Sequence, residues 1–167
     1  IEHAVLFGHS DGGTIALLAA AFHPRRIAAI VTEAAHVFVE ESTLAGIRAA
    51  ERALESGDLL SRLARHHGEK ARPLAAAWTG TWLSPTFRDW NIEAELRRIR
   101  CPVLAIQGAA DEYGTAAQVQ AITSGVAGPS RSVILPGLGH TPHREDPEAV
   151  LGPVAEYVRR CAEQARS

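Results

Sequence analysis

Apolar and polar positions follow two different rhythms along the chain. Ile1 to Phe7 (I-E-H-A-V-L-F) closes in an unbroken apolar run that Gly8 stops. A short apolar run bounded by glycine is the pattern of a strand buried on both faces of a sheet. Gly12 to Phe22 is rich in alanine and leucine and long enough for a helix. His23-Pro24 ends it, because the residue before a proline resists the α region. Ile27 to Thr32, β-branched and small, predicts a second strand. Strand, glycine turn, helix and strand make a βαβ unit, which implies parallel strands joined by a right-handed crossover.

Residues 37–98 show no strand pattern. Leu44, Ile47, Ala50 and Leu54 recur at spacings of three and four, one face of a helix over Glu41 to Glu55. Leu59, Leu60 and Leu63 continue the pattern after Gly57-Asp58. Trp78, Trp82 and Trp90 follow, placed for inter-helix packing or for lining a pocket. The strand rhythm resumes at Pro102 to Gln107, with a helix over Ala116 to Thr123 and a short strand over Ser132 to Leu135. Asp146 caps a last helix that Pro147 starts and that runs to about Ala165. Pro153 inside it removes a hydrogen bond and costs ~3 kcal/mol, which predicts a kink or restart at Gly152. The expected fold is α/β: a parallel sheet of about four strands flanked by helices. Residues 1–36 and 99–167 form this core, and residues 37–98 form an inserted helical cap.

Charge and composition narrow the function. The chain has 167 residues, with 17 Lys plus Arg against 19 Asp plus Glu and a net charge of −2. A duplex-binding domain shows a basic surplus, so nucleic acid is not the expected partner. The longest apolar run, Ile15 to Phe22, falls far short of the ~20 residues that span a bilayer. Cys101 and Cys161 lie outside any CxxC pair and read as reduced thiols of a cytoplasmic protein. No set of His, Cys, Asp and Glu has metal-ligand spacing, so no metal or other cofactor is expected. The expected partner is a small-molecule substrate.

The chemistry concentrates where strands end. Gly8-His9-Ser10-Asp11-Gly12-Gly13 fits G-x-S-x-G between a strand and a helix. A nucleophilic serine there projects from a very sharp turn, and Gly8 and Gly12 are expected to remove the side chains that would clash. The helix start aims N–H groups at the reacting centre, and the Asp11 N–H is the expected oxyanion donor. Asp111, just past the third strand, can hold an imidazole in one tautomer; Glu112 and Glu33 are its competitors. His140, in the glycine-flanked loop after the fourth strand, is placed as general base, with His143 as rival. Ser10, Asp111 and His140 occur in the chain order of one of the three known triad arrangements. His9 and His36 flank the same strand ends and, with Trp78 and Trp82, are candidates for the substrate pocket. His66-His67 reads as a solvated helix end.

These motifs resemble the C-terminal part of an α/β-hydrolase over essentially the whole chain. Ser10-Asp11-Gly12-Gly13, with Ala35-His36-Val37-Phe38-Val39 leading into the helical segment, is similar to ester hydrolases of the valacyclovir hydrolase type. The resemblance implies a serine-dependent hydrolase of a small ester, lactone or thioester. Haloalkane dehalogenases and epoxide hydrolases of this fold carry aspartate at the elbow, where this chain has Ser10, which favours acyl transfer. Cleavage of a carbon–carbon bond in a diketone is a second reaction the fold hosts. The chain opens in a strand, without Met or a polar lead-in, and the nucleophile arrives at residue 10. The expectation is an incomplete fold that lacks the N-terminal strands and the loop that gives the second oxyanion donor. A lost donor costs ~10²–10³ in rate, so a catalytically impaired fragment, or a binding protein with a vestigial site, is the reading outside active enzymes.

Overall fold

A computed structural model describes residues 3–164. Ile1 and Glu2 of the expected first strand and Ala165 at the expected helix end lie outside the described residues. Four parallel strands form one sheet in the order β1 (Ala4–His9), β2 (Ile27–Glu33), β3 (Val103–Gly108) and β4 (Ser130–Leu135). The helices are α1 (Asp11–Phe22), α2 (Glu41–Glu55), α3 (Asp58–His67), α4 (Ala71–Trp82), α5 (Glu93–Leu96), α6 (Ala116–Gly125), α7 (Pro142–Glu145) and α8 (Pro147–Gln164). This is a parallel sheet flanked by helices, as the βαβ rhythm predicted.

The described chain divides into two compact units, Ile1–Phe38 with Asn91–Ser167, and Val39–Trp90. The helical unit is narrower than the expected 37–98. Residues 91–98 pack with the sheet unit because Ile92, Leu96 and Ile99 are buried there and α5 lies against α1 and α6.

In the sheet unit the register sets the two faces. Val31 pairs with Leu104, and Glu33 with Ile106, so these four share a face. Val31, Leu104, Ile106 and Leu135 pack there with Val150 of α8, joined by Val154 and Tyr157. Phe7 and His9 pair with Val31 and Glu33 and lie on that face too. α8 runs through Pro153 as one continuous helix, so of the expected kink or restart at Gly152 the restart is absent. Val150, Val154 and Tyr157 pack against the sheet on both sides of Pro153 and hold the helix together across it. The Asp146 carboxylate accepts from the Ala149 N–H, the cap the sequence predicted.

β1 departs from the expected doubly buried strand. Val5 is 43% and Phe7 48% exposed. β1 pairs only with β2 among the described residues.

Within the helical unit, Leu44, Ile47 and Ala50 of α2 are buried, the face that the three-four spacing predicted. Trp82 is buried edge-on to Phe87 and Trp90, whose own rings stack.

Candidate active site

Ser10 occupies φ 53, ψ −124, a region that side-chain-bearing residues rarely adopt. Hydrogen bonds on both sides hold it there. Its N–H donates to the Glu33 carbonyl at 2.8 Å, and its own carbonyl accepts from the Gly13 and Thr14 N–H groups at 2.9 and 3.2 Å. A Cβ at Gly8 would sit 2.1 Å from the Gly12 carbonyl oxygen, so only glycine fits. Gly12 itself, expected to be the second crowded glycine, has open space at that position. The turn presents the Gly12 peptide, not its Cα, to Gly8. The second crowded position is Gly13, where a Cβ would lie 2.7 Å from that of Ala35. Asp11 is the first residue of α1, so its N–H belongs to the group without an intrahelical acceptor. Its side chain is exposed.

β3 and β4 bring the other two residues to the same sheet end. His140 Nε2 lies 2.9 Å from Ser10 Oγ, and His140 Nδ1 lies 2.9 and 3.0 Å from the two Asp111 oxygens. A carboxylate only accepts, so Nδ1 carries the proton and Nε2 is left to accept from the serine hydroxyl. The Asp111 side chain is fully buried and that of His140 is 14% exposed. Glu112, the local competitor, is exposed and bonds to neither. The loop carrying His140 is locked onto the end of β3. Ala109 and Ala110 N–H groups donate to the Leu135 and Leu138 carbonyls, and a Cβ at Gly108 would meet the Gly139 oxygen at 2.2 Å.

Asp111 has its own supports. Gln107 Nε2 donates to Oδ2 at 2.5 Å, and the Tyr113 and Gly114 N–H groups donate to Oδ1 at 2.8 and 3.3 Å. Gln107 was missed in the sequence, where its signal was a lone amide inside the apolar run of β3. Glu145 was missed as well. Its carboxylate accepts from the Gly139 and Thr141 N–H groups at 2.7 and 3.0 Å, bracketing His140, and these bonds hold it below the usual carboxylate range. Its signal was a carboxylate within one short loop of the histidine.

The remaining candidates separate. His36 is buried, donates from Nε2 to the Tyr113 carbonyl at 3.0 Å, and lies 6.1 Å from the His140 ring. Burial lowers its pKa, and its N–H bond to the Tyr113 carbonyl partly offsets this. The Tyr113 ring packs 4.6 Å from that of His140. His9 donates from Nε2 to the His140 carbonyl at 2.7 Å; burial, above all, lowers its pKa too. Glu33, fully buried, bonds not to His140 but to His143. Trp78 and Trp82 both belong to α4 of the helical unit. His66 and His67 are exposed at the end of α3.

A parallel sheet with a serine, a histidine and a carboxylate joined at its carboxyl ends is the ground plan of a hydrolytic enzyme. The profile of the alpha/beta hydrolase family matches residues 1–152, and the chain belongs to that family. It is 26% identical over 182 residues to a pimeloyl-[acyl-carrier protein] methyl ester esterase of Edwardsiella ictaluri (strain 93-146), covering 94% of this chain and 70% of that protein. Its structure is similar to that of a proline iminopeptidase from Mycobacterium smegmatis, with TM-score 0.70 and 20% identity over 99% of this chain and 68% of that one. It is also similar to a hydrolase from Pseudomonas aeruginosa PA01, with TM-score 0.65 and 25% identity over 95% of this chain and 65% of that one.

Proposed function

We propose that the protein is a serine-dependent hydrolase of a small carboxylic ester. The observation that carries this reading is the His140 ring bridging Ser10 Oγ and the buried Asp111 carboxylate, each contact near 2.9 Å. His140 takes the Ser10 proton as Oγ attacks the ester carbonyl. The tetrahedral oxyanion is held by main-chain N–H groups, that of Asp11 among them. Collapse expels the alcohol, which leaves with the proton from His140, and an acyl ester remains on Ser10. Water then gives a proton to His140 and attacks the acyl carbon, releasing the acid and restoring the serine.

The esterase among its relatives supports an ester over other acyl substrates. The likeness of Ser10–Gly13 and Ala35–Val39 to ester hydrolases of the valacyclovir hydrolase type points to a small acyl group. His36 in the sheet unit and, separately, Trp78 and Trp82 in the helical unit Val39–Trp90 are each candidates for choosing the acyl group. The test is a fluorophosphonate probe and a p-nitrophenyl ester series. The probe is expected to label Ser10, with Ser10→Ala losing both label and turnover. Full ester turnover by Ser10→Ala would overturn the reading.

A further inference from the structure

The β1–β2 register makes His9 and Glu33 direct partners on one face of the sheet. Each holds a different part of the His140 loop. His9 donates to the His140 carbonyl at 2.7 Å. Glu33 accepts from the His143 N–H at 2.7 Å and from His143 Nδ1–H at 3.0 Å. The His143 ring stands edge-on to that of His9, 5.0 Å away at 71°. Glu33 also reaches the other side of the site, since its carbonyl accepts the Ser10 N–H at 2.8 Å. One residue therefore fixes the main chain of the serine and the loop of the histidine at once.

Packing alone does not explain this arrangement. Glu33 is fully buried, and an unpaired carboxylate there would be strongly unfavourable. An apolar residue in its place would fill the sheet face at no such cost. What the carboxylate adds is direction: two acceptors aimed at two donors of one residue, three positions beyond His140.

We propose that Glu33 and His143 are positioning residues that hold the His140 ring on Ser10 Oγ, with His9 tying the His140 carbonyl to β1. This rests on His140 acting as the base in the reaction proposed above. The Asp111 bond sets the ring's tautomer. The Glu33 bonds set where the ring stands, by stopping the loop from sliding along the end of β2. A displacement of about 1 Å at a reacting pair costs on the order of a hundredfold in rate.

The test uses Glu33→Gln, His143→Leu and His143→Asn, at a temperature where melting curves show each fully folded. The carboxamide of Glu33→Gln has one oxygen for the two donors of His143, so it can accept only one of them. Glu33→Gln and His143→Leu are expected to lower kcat and the rate of fluorophosphonate labelling at Ser10 by about ten- to a hundredfold. KM should change less than about twofold, because no substrate contact is lost. His143→Asn, which keeps a donor near the Nδ1 position, should recover most of the loss seen in His143→Leu. The downfield proton resonance of His140 Nδ1–H should broaden in the first two variants only. If wild type labels at Ser10 and Glu33→Gln labels equally fast, the positioning role is overturned while the proposed reaction stands. If Ser10 takes no label in wild type, both fall.

Discussion

Replacing Gly108 by alanine probes how tightly the third strand and the histidine loop are coupled. The added methyl would stand 2.2 Å from the Gly139 oxygen and 2.3 Å from the Leu138 oxygen. Ordinary contact needs about 3.4 Å or more, so the loop must retreat by about 1 Å. Neither obstacle can rotate away, because both are main-chain carbonyls, and Leu138 O is already bonded to Ala110 N–H. Overpacking of this kind costs about 1–3 kcal/mol in stability. The next residue along the loop is His140, whose Nε2 must stay within hydrogen-bond reach of Ser10 Oγ. A 1 Å retreat there is worth on the order of a hundredfold in kcat/KM, about 2.7 kcal/mol of transition-state stabilisation. The assay is steady-state ester hydrolysis beside urea unfolding of the same preparation. A stable Gly108→Ala protein with wild-type kcat/KM would refute the coupling, and so would a loss of stability with no loss of rate per folded molecule.

Asp111→Asn would keep the shape of the acid but let the ring adopt the other tautomer, and is expected to lower kcat roughly 10⁴-fold with little change in KM. His36 should give the fold a pH dependence. Its folded pKa lies below 6.5, so the unfolded chain binds a proton first as pH falls. Stability is then complete above that value, declines as pH drops through it, and levels off below the folded pKa. Urea midpoints measured from about pH 8 to about pH 5 should show this slope, and His36→Gln should reduce it, leaving the share contributed by His9, whose pKa burial also lowers. Leu104→Ala, in the core under α8, should cost about 2–5 kcal/mol in the same unfolding assay.

The parts of the site that the sequence revealed are those tied to local backbone geometry. Ser10 stood out because G-x-S-x-G falls between a strand and a helix, and Asp111 and His140 because each closely follows a strand. Gln107 was legible only as a polar residue where an apolar one was due, and Glu33 only as a competitor of Asp111 for the acid. The partner of Glu33 lies on another element: His143 is 110 positions away, and no spacing rule reaches that far. The error at Gly12 has a similar cause. A motif says which residues are small, while the crowding depends on which peptide of the turn faces inward. The restart expected at Gly152 weighed one lost hydrogen bond without the packing of Val150, Val154 and Tyr157 on the sheet. The solvent exposure of Val5 and Phe7 depends on what flanks β1, and an apolar run carries no information about its neighbours.

Ser10 and His140 are 130 residues apart. During synthesis the serine is therefore made long before the base that would activate it. Until β4 is laid against β3 and the following loop closes, Ser10 is an ordinary hydroxyl in a turn. Contacts this distant in sequence form late, because the chain between them must first be ordered. On the proposed mechanism, reactivity at Ser10 would therefore report completed folding, and a half-made or half-unfolded chain would hold no activated serine.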